Sequence, residues 1–188
     1  LLEEAGYSVQ DGVLVAPDGA PFTFEILLRQ GAVEYLSIVE MYLQDLKRLG
    51  ITAEVTLIDN AQYNERLRRT DFDITPYARG LSLSPGNEQL LYWGSEMADI
   101  EGTRNLMGIK SEVMDHLLSK ILTSKTQDDL KSVTKAMDRV LMAGRYVIPI
   151  YFDGVSRIAH VNTLNKPDMA PIYGDRIGYF PDVWWIEE

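Results

Sequence analysis

A chain of 188 residues is long enough to bury one substantial core, and its formal charge of −10, from 18 Lys and Arg against 28 Asp and Glu, leaves it without the basic patches that a phosphate backbone requires. No apolar run approaches the length of a helical membrane span, and with no cysteine there is neither a disulfide framework nor thiolate chemistry. The histidines, His116 and His160, have no second histidine at metal-ligand spacing, so a histidine-rich zinc site is not expected; no metal and no cofactor is expected.

The opening Leu1-Leu2-Glu3-Glu4-Ala5-Gly6 resembles the last turns of a helix closed by Gly6. It has no initiator methionine and no leader in front of it, so the expectation is an excised piece of a longer protein, folded as a single domain over residues 1–188. Val13-Leu14-Val15, the turn Pro17-Asp18-Gly19-Ala20 and a strand from Phe22 predict a hairpin. In that strand Phe22, Phe24, Ile26 and Leu28 share one face at period two. From Tyr35 the period becomes helical, with Leu36, Val39, Leu43 and Leu46 on one stripe and Gly50 as the stop. Ile51, Ala53, Val55 and Leu57 then alternate with polar residues, and a helical crossover of this length predicts a parallel, right-handed connection. Asp59 is placed as N-cap, with Gln62 closing a capping box, and the short helix turns Tyr63 and Leu67 inward. Phe72-Asp73-Ile74 predicts a third strand that ends at Pro76, which has no N–H for a ladder.

Ligands of open sheets collect beyond the carboxyl ends of the strands, here Gln30 and Gly31, Asp59 and Asn60, and Tyr77 to Ser84. From Arg79 to Gly108 the periodicity fades into a glycine-punctuated loop with one short helix at Glu88 to Trp93, and long loops in compact domains tend to be functional. Arg79 follows the third strand, where its guanidinium either pairs with a carboxylate or phosphate of a solute or forms a surface ion pair. Asn87 and Gln89 supply donors and acceptors for a polar solute or else satisfy the loop. Tyr77 and Trp93 stack on a ring or join the core. Asp59 is a cap, and Asn105 holds the loop through backbone groups rather than touching ligand.

Past the loop, Met114, Leu117, Leu118, Ile121 and Leu122 mark a helix begun by Ser111, and Leu130, Val133, Met137, Val140 and Leu141 mark a second capped by Thr126 with Asp129. The two are expected to pack antiparallel. Tyr146 to Phe152 is predicted as a buried strand and Arg157 to Val161 as another, and the tail with Trp184-Trp185-Ile186 either folds back or covers a partner. There is no Gly-x-Ser-x-Gly elbow and no phosphate loop, so an enzyme is not expected.

Several of these segments, in this order, resemble the family 5 extracellular solute-binding proteins, the oligopeptide, dipeptide and nickel-binding group that serves ABC importers. Those segments are Leu2 to Tyr7, Asp18 to Phe22, Leu43 to Ile51, Asp71-Phe72-Asp73, Asn105 with Ile109 to Leu118, and Ala136 to Tyr151. Ser82 to Gln89 is similar to the YejA-type peptide-binding subgroup. The resemblance implies an α/β fold, with a mixed, partly parallel sheet flanked by helices, as one lobe of a type II periplasmic-binding-protein-like architecture. It also implies a periplasmic parent protein in which this chain is most of the C-terminal lobe. The implied partners are an oligopeptide or peptide-conjugate solute, the first lobe of the same parent chain and a membrane ABC permease, with no nucleic acid.

Many family members carry Trp-x-x-Asp-Tyr-x-Asp/Glu-Pro, whose Asp pairs with the amino group of a bound peptide. Here those positions hold Ala78, Leu81 and Ser82, and Pro85 alone persists, so the amine-pairing role does not carry over and a blocked, conjugated or oligosaccharide-like solute gains weight. The candidate ligand-binding residues are therefore Tyr77, Arg79, Leu81, Ser82, Asn87, Gln89 and Trp93, with no catalytic residue. The competing expectation is a stand-alone acidic protein-interaction domain.

Overall fold

A computed structural model describes residues 1–80, 84–152, 154–169, 179–180 and 182–187. Backbone contacts gather these into two units, Leu1–Arg79 with Leu90–Glu112, and Gly80–Gln89 with Val113–Glu188.

The first unit begins with a hairpin that sequence reasoning passed over. Strand β1 (Ser8–Gln10) pairs antiparallel with β2 (Val13–Val15) across Asp11 and Gly12, whose φ values of 49° and 83° are those of a tight two-residue hairpin turn. The hairpin expected from Val15 into Phe22 is reduced to a turn. Ala16 N–H donates to Ala20 O, Phe22 N–H donates to Leu14 O, and a single bridge joins Val15 to Pro21, where the missing N–H stops the ladder.

Strand β3 (Thr23–Arg29), helix α1 (Val33–Arg48) and β4 (Thr52–Ile58) form the expected parallel crossover, in register from Thr23 opposite Thr52 to Arg29 opposite Ile58. The α1 stripe packs as predicted, with Val39 against Ile26 and Leu28, and Leu46 against Leu14 and Ile51. In β3 the alternation fails at its centre, where Ile26, Leu27 and Leu28 are all buried, because helix α2 (Asn60–Arg68) covers the face that α1 does not. In β4 the alternation holds through Val55 and ends at Leu57, which is exposed.

Two carboxylates fix α2. Asp59 Oδ1 accepts from the N–H groups of Ala61 and Gln62, which is the predicted N-cap. Glu25 on β3 takes a two-pronged grip from Arg66, at 3.0 and 2.5 Å, while Arg66 Nε also donates to Asp71. This grip holds the Glu25 carboxyl below the usual carboxylate range and the Arg66 guanidinium above its ordinary value. The third strand expected at Phe72–Ile74 shrinks to one parallel bridge, Ile26 with Ile74, flanked by Leu27 N–H to Ile74 O and Ile74 N–H to Glu25 O. Asp73 spends its carboxylate on Glu25 N–H at this point, and Pro76 prevents the ladder from continuing.

The second unit is built on α4 (Glu112–Thr123) and α5 (Gln127–Gly144), whose buried residues are Met114, Leu118 and Ile121 on the one and Met137 on the other. Thr126 caps α5 by accepting from Asp129 N–H, as expected. Tyr146 to Phe152 is neither buried nor a strand. It is irregular and exposed, with Ile148 at 59% and Phe152 at 92%, and Arg157 to Val161 is likewise irregular and exposed. Apolar content records a need for burial, and among the described residues neither segment pairs with a strand. In the tail, β5 (Leu164–Asn165) pairs with β6 (Trp185–Ile186), and Trp184 folds back among His160, Tyr179 and Phe180 with edge-on ring contacts.

Candidate functional site

Beyond the Ile74 bridge the chain leaves the sheet under tight control. Thr75 Oγ1 donates to Leu27 O at 3.0 Å, and the Tyr63 hydroxyl bonds Thr75 Oγ1 at 2.8 Å and Pro76 O at 3.3 Å. These bonds aim the following residues, Tyr77 and Arg79, past the carboxyl end of β3.

There the guanidinium of Arg79 sits in an aromatic box. Its Cζ lies 4.3 Å from the ring centre of Tyr92, 5.1 Å from Trp93 and 5.4 Å from Tyr77. Each such contact contributes about 0.5–2 kcal/mol, more as water is excluded. Nη2 donates to the backbone O of Arg104 at 2.7 Å, while Nη1 is buried with no hydrogen-bond partner among the described residues. The Arg104 guanidinium reaches the same Tyr92 ring, at 5.7 Å from its centre, and Nη1 donates to the Tyr92 hydroxyl at 3.3 Å.

The walls of this box are fastened by Asn105, which is 0% exposed. Its Nδ2 donates to Gly94 O at 3.1 Å and to Ile109 O at 2.9 Å, and its Oδ1 accepts from Ile109 N–H at 3.0 Å. Because Gly94 adjoins Trp93, and Asn105 adjoins Arg104, one buried amide holds both walls in place. Gly94 has no room for a side chain here, since a Cβ would lie 2.6 Å from Leu90 O. The loop is moored on its other side where Gly102 N–H donates to Arg68 O, and Glu101 pairs with Arg68.

Of the residues singled out from sequence, Tyr77, Arg79 and Trp93 come together. Asn87 and Gln89 lie in the other unit, with Asn87 exposed at the start of helix α3 (Glu88–Trp93). Gln89 is 6% exposed and donates to Glu88 Oε1, and the Glu88 carboxyl, bonded by Gln89 and by Gly86 N–H, lies below its ordinary range. Leu81 and Ser82 lie outside the described residues. Tyr92 and Arg104 were missed, because only the loop's path brings them to Arg79; the signal available was one more aromatic on the predicted short helix and one cation beside Asn105. Asn105 itself holds the loop by backbone groups, as expected.

A parallel β-α-β core with helices packed against it is an α/β fold. The same fold occurs in the oligopeptide-binding protein AppA of Bacillus subtilis, solved with a nonapeptide, which superposes with a TM-score of 0.74 at 19% identity over 100% of this chain and 36% of AppA. The chain belongs to the bacterial extracellular solute-binding proteins, family 5 Middle, whose profile matches residues 1–99. It is 42% identical to the uncharacterized protein y4wM of Sinorhizobium fredii over 98% of this chain. It is 40% identical to the probable peptide-binding protein YejA of Agrobacterium fabrum, again over 98% of this chain. The chain spans only 27% of the first relative and 30% of the second.

Proposed function

We propose that the parent protein is the periplasmic solute-binding component of an ABC importer and that this chain is most of its C-terminal lobe. It holds one side of an oligopeptide or peptide-like solute, and the parent delivers that solute to a membrane permease. The observation that carries the reading is the near-complete alignment of the chain with a relative named as a peptide-binding protein, inside a solute-binding family. The Tyr77–Arg79–Trp93 cluster supports it, since a cleft needs a few convergent polar and aromatic groups. The exposed run at residues 146–152 also supports it, as an apolar segment that the remainder of a larger protein covers.

Solute then works by closure. It bridges two lobes, and the closed state gains only the contacts added across the cleft. The 188-residue chain alone is expected to fold and to bind peptide weakly, because it supplies half of those contacts. The test is thermal shift and calorimetry of the full-length parent against peptides, peptide conjugates and oligosaccharides, beside the isolated chain. Stabilisation of the parent by peptides or conjugates supports the proposal. A parent that responds to none of them refutes it, and an isolated chain that binds a peptide with micromolar affinity refutes only the expectation that half a cleft binds weakly.

A further inference from the structure

Two guanidinium groups share the single ring of Tyr92, with Arg79 Cζ at 4.3 Å and Arg104 Cζ at 5.7 Å. Like charges gathered this closely are normally neutralised by carboxylates, and four other arginines of the same unit are paired in this way. Arg48 pairs with Asp45, Arg66 with Glu25 and Asp71, and Arg68 and Arg69 with Glu65 and Glu101. Among the described residues, no carboxylate comes within 4.0 Å of Arg79 or Arg104, although the chain carries a net charge of −10. The Arg79 fork is also only half used, since Nη2 is bonded to Arg104 O whereas Nη1 is buried without a partner among the described residues. A buried charged donor left in that state is costly, and a fold that pins it with three rings and a carbonyl keeps it ready for an acceptor from outside.

We propose that the Arg79 and Arg104 pair is an anion subsite, taking a carboxylate or phosphate oxygen of the solute on Arg79 Nη1. The inference rests on the solute-binding reading above and gives it a chemical sign. Tyr77 is the outermost of the three rings, at 55% exposed. Tyr92 and Trp93 exclude water behind it, where a charge-assisted bond is strongest.

The experiment uses the full-length parent protein with three synthetic probes sharing one N-acetylated tetrapeptide sequence: the free acid, the C-terminal amide, and the amide carrying a phosphoserine. Inorganic phosphate is titrated separately. The free acid is expected to bind about tenfold or more tighter than the amide, the size of effect a charged hydrogen bond gives. R79Q abolishes that preference, R79K keeps part of it because a point charge replaces the planar fork, and R104Q weakens it while leaving the backbone acceptor of Arg79 in place. Recovery by the phosphoserine amide assigns phosphate as an accepted source, and failure to recover assigns carboxylate. Acid and amide binding equally in wild type and R79Q overturns the anion subsite and leaves the solute-binding reading standing. Should no peptide bind, phosphate decides: stabilisation of wild type that R79Q lacks keeps the subsite while the peptide reading falls, and no stabilisation ends the inference. Circular dichroism and the unligated unfolding midpoint of each variant separate lost binding from lost folding.

Discussion

Gly50 is where a helix end, a strand start and the N-terminal hairpin meet, and replacing it with alanine tests whether that junction is as tight as the geometry says. At the end of α1, Gly50 N–H donates to Lys47 O and Ile51 N–H to Leu46 O, the paired bonds of a Schellman cap, with Gly50 at φ +77°. Gly50 O in turn accepts from Leu14 N–H at 2.8 Å, which brings the β2 backbone against the glycine. A Cβ on Gly50 would lie 2.8 Å from Leu14 N and 3.0 Å from Gly12 O, and backbone atoms cannot rotate away as a side-chain tip can. Gly19 is the control, with φ +85° and nothing within 4 Å of its would-be Cβ. Both alanines carry the left-handed backbone penalty of about 1 kcal/mol. Gly50→Ala adds an overpacking cost of about 1–3 kcal/mol, for a total of about 2–4 kcal/mol, against about 1 kcal/mol for Gly19→Ala. Urea unfolding of the 188-residue chain reads the difference as a shift in midpoint at constant slope, and heating reads it at about 2–4 °C per kcal/mol for a chain of this size. Equal losses in the two variants would refute the argument from close approach.

Asp59→Ala removes the acceptor for Ala61 and Gln62 N–H and is expected to cost about 1 kcal/mol by urea unfolding. Asn105→Ala strands Gly94 O, Ile109 O and Ile109 N–H, and is expected to cost about 3 kcal/mol or more and to change Trp93 fluorescence as the box loosens. Asn105→Asp, which sets a carboxylate against two carbonyls, should be at least as damaging at pH 7 and recover on acidification. The Glu25 carboxyl is lowered on folding, so its contribution is present above the unfolded value near ~4.3 and is lost as pH falls through the folded value. Glu25→Gln should therefore reduce stability at neutral pH and flatten the acid limb of the stability profile. A variant whose acid limb matches wild type would dissociate the Arg66 grip from stability.

Sequence patterning was most reliable where one local rule governed one element. The α1 stripe, the parallel β3–β4 pairing and the Asp59 and Thr126 caps all follow from periodicity and capping chemistry. It was weaker where two rules competed. Asp11-Gly12 and Asp18-Gly19 both carry a hairpin signal, and the first wins because Pro21 withholds an N–H from the second. The burial of Leu27 between the predicted inward positions Ile26 and Leu28 was not legible, because period two cannot register a helix covering the other side. The run from Tyr146 was assigned to a strand on apolar content alone, which records a demand for partners and not their presence. Of the candidate site, Arg79, Tyr77 and Trp93 were legible as residues following a strand or ending a helix. Tyr92 and Arg104 were not, because they meet only through the fold-back that Asn105 ties, a relation among residues 79, 92 and 104 that no local window contains.

The uncovered run Val147-Ile148-Pro149-Ile150-Tyr151 has a practical consequence for handling the isolated polypeptide. An exposed apolar run of this kind is an aggregation liability in concentrated solution. Pro149 sits at its centre as a brake, because the proline ring breaks any hydrogen-bonded register another copy tries to impose. Replacing that one residue with valine removes the brake and is expected to speed aggregation of the isolated chain, read by light scattering against wild type.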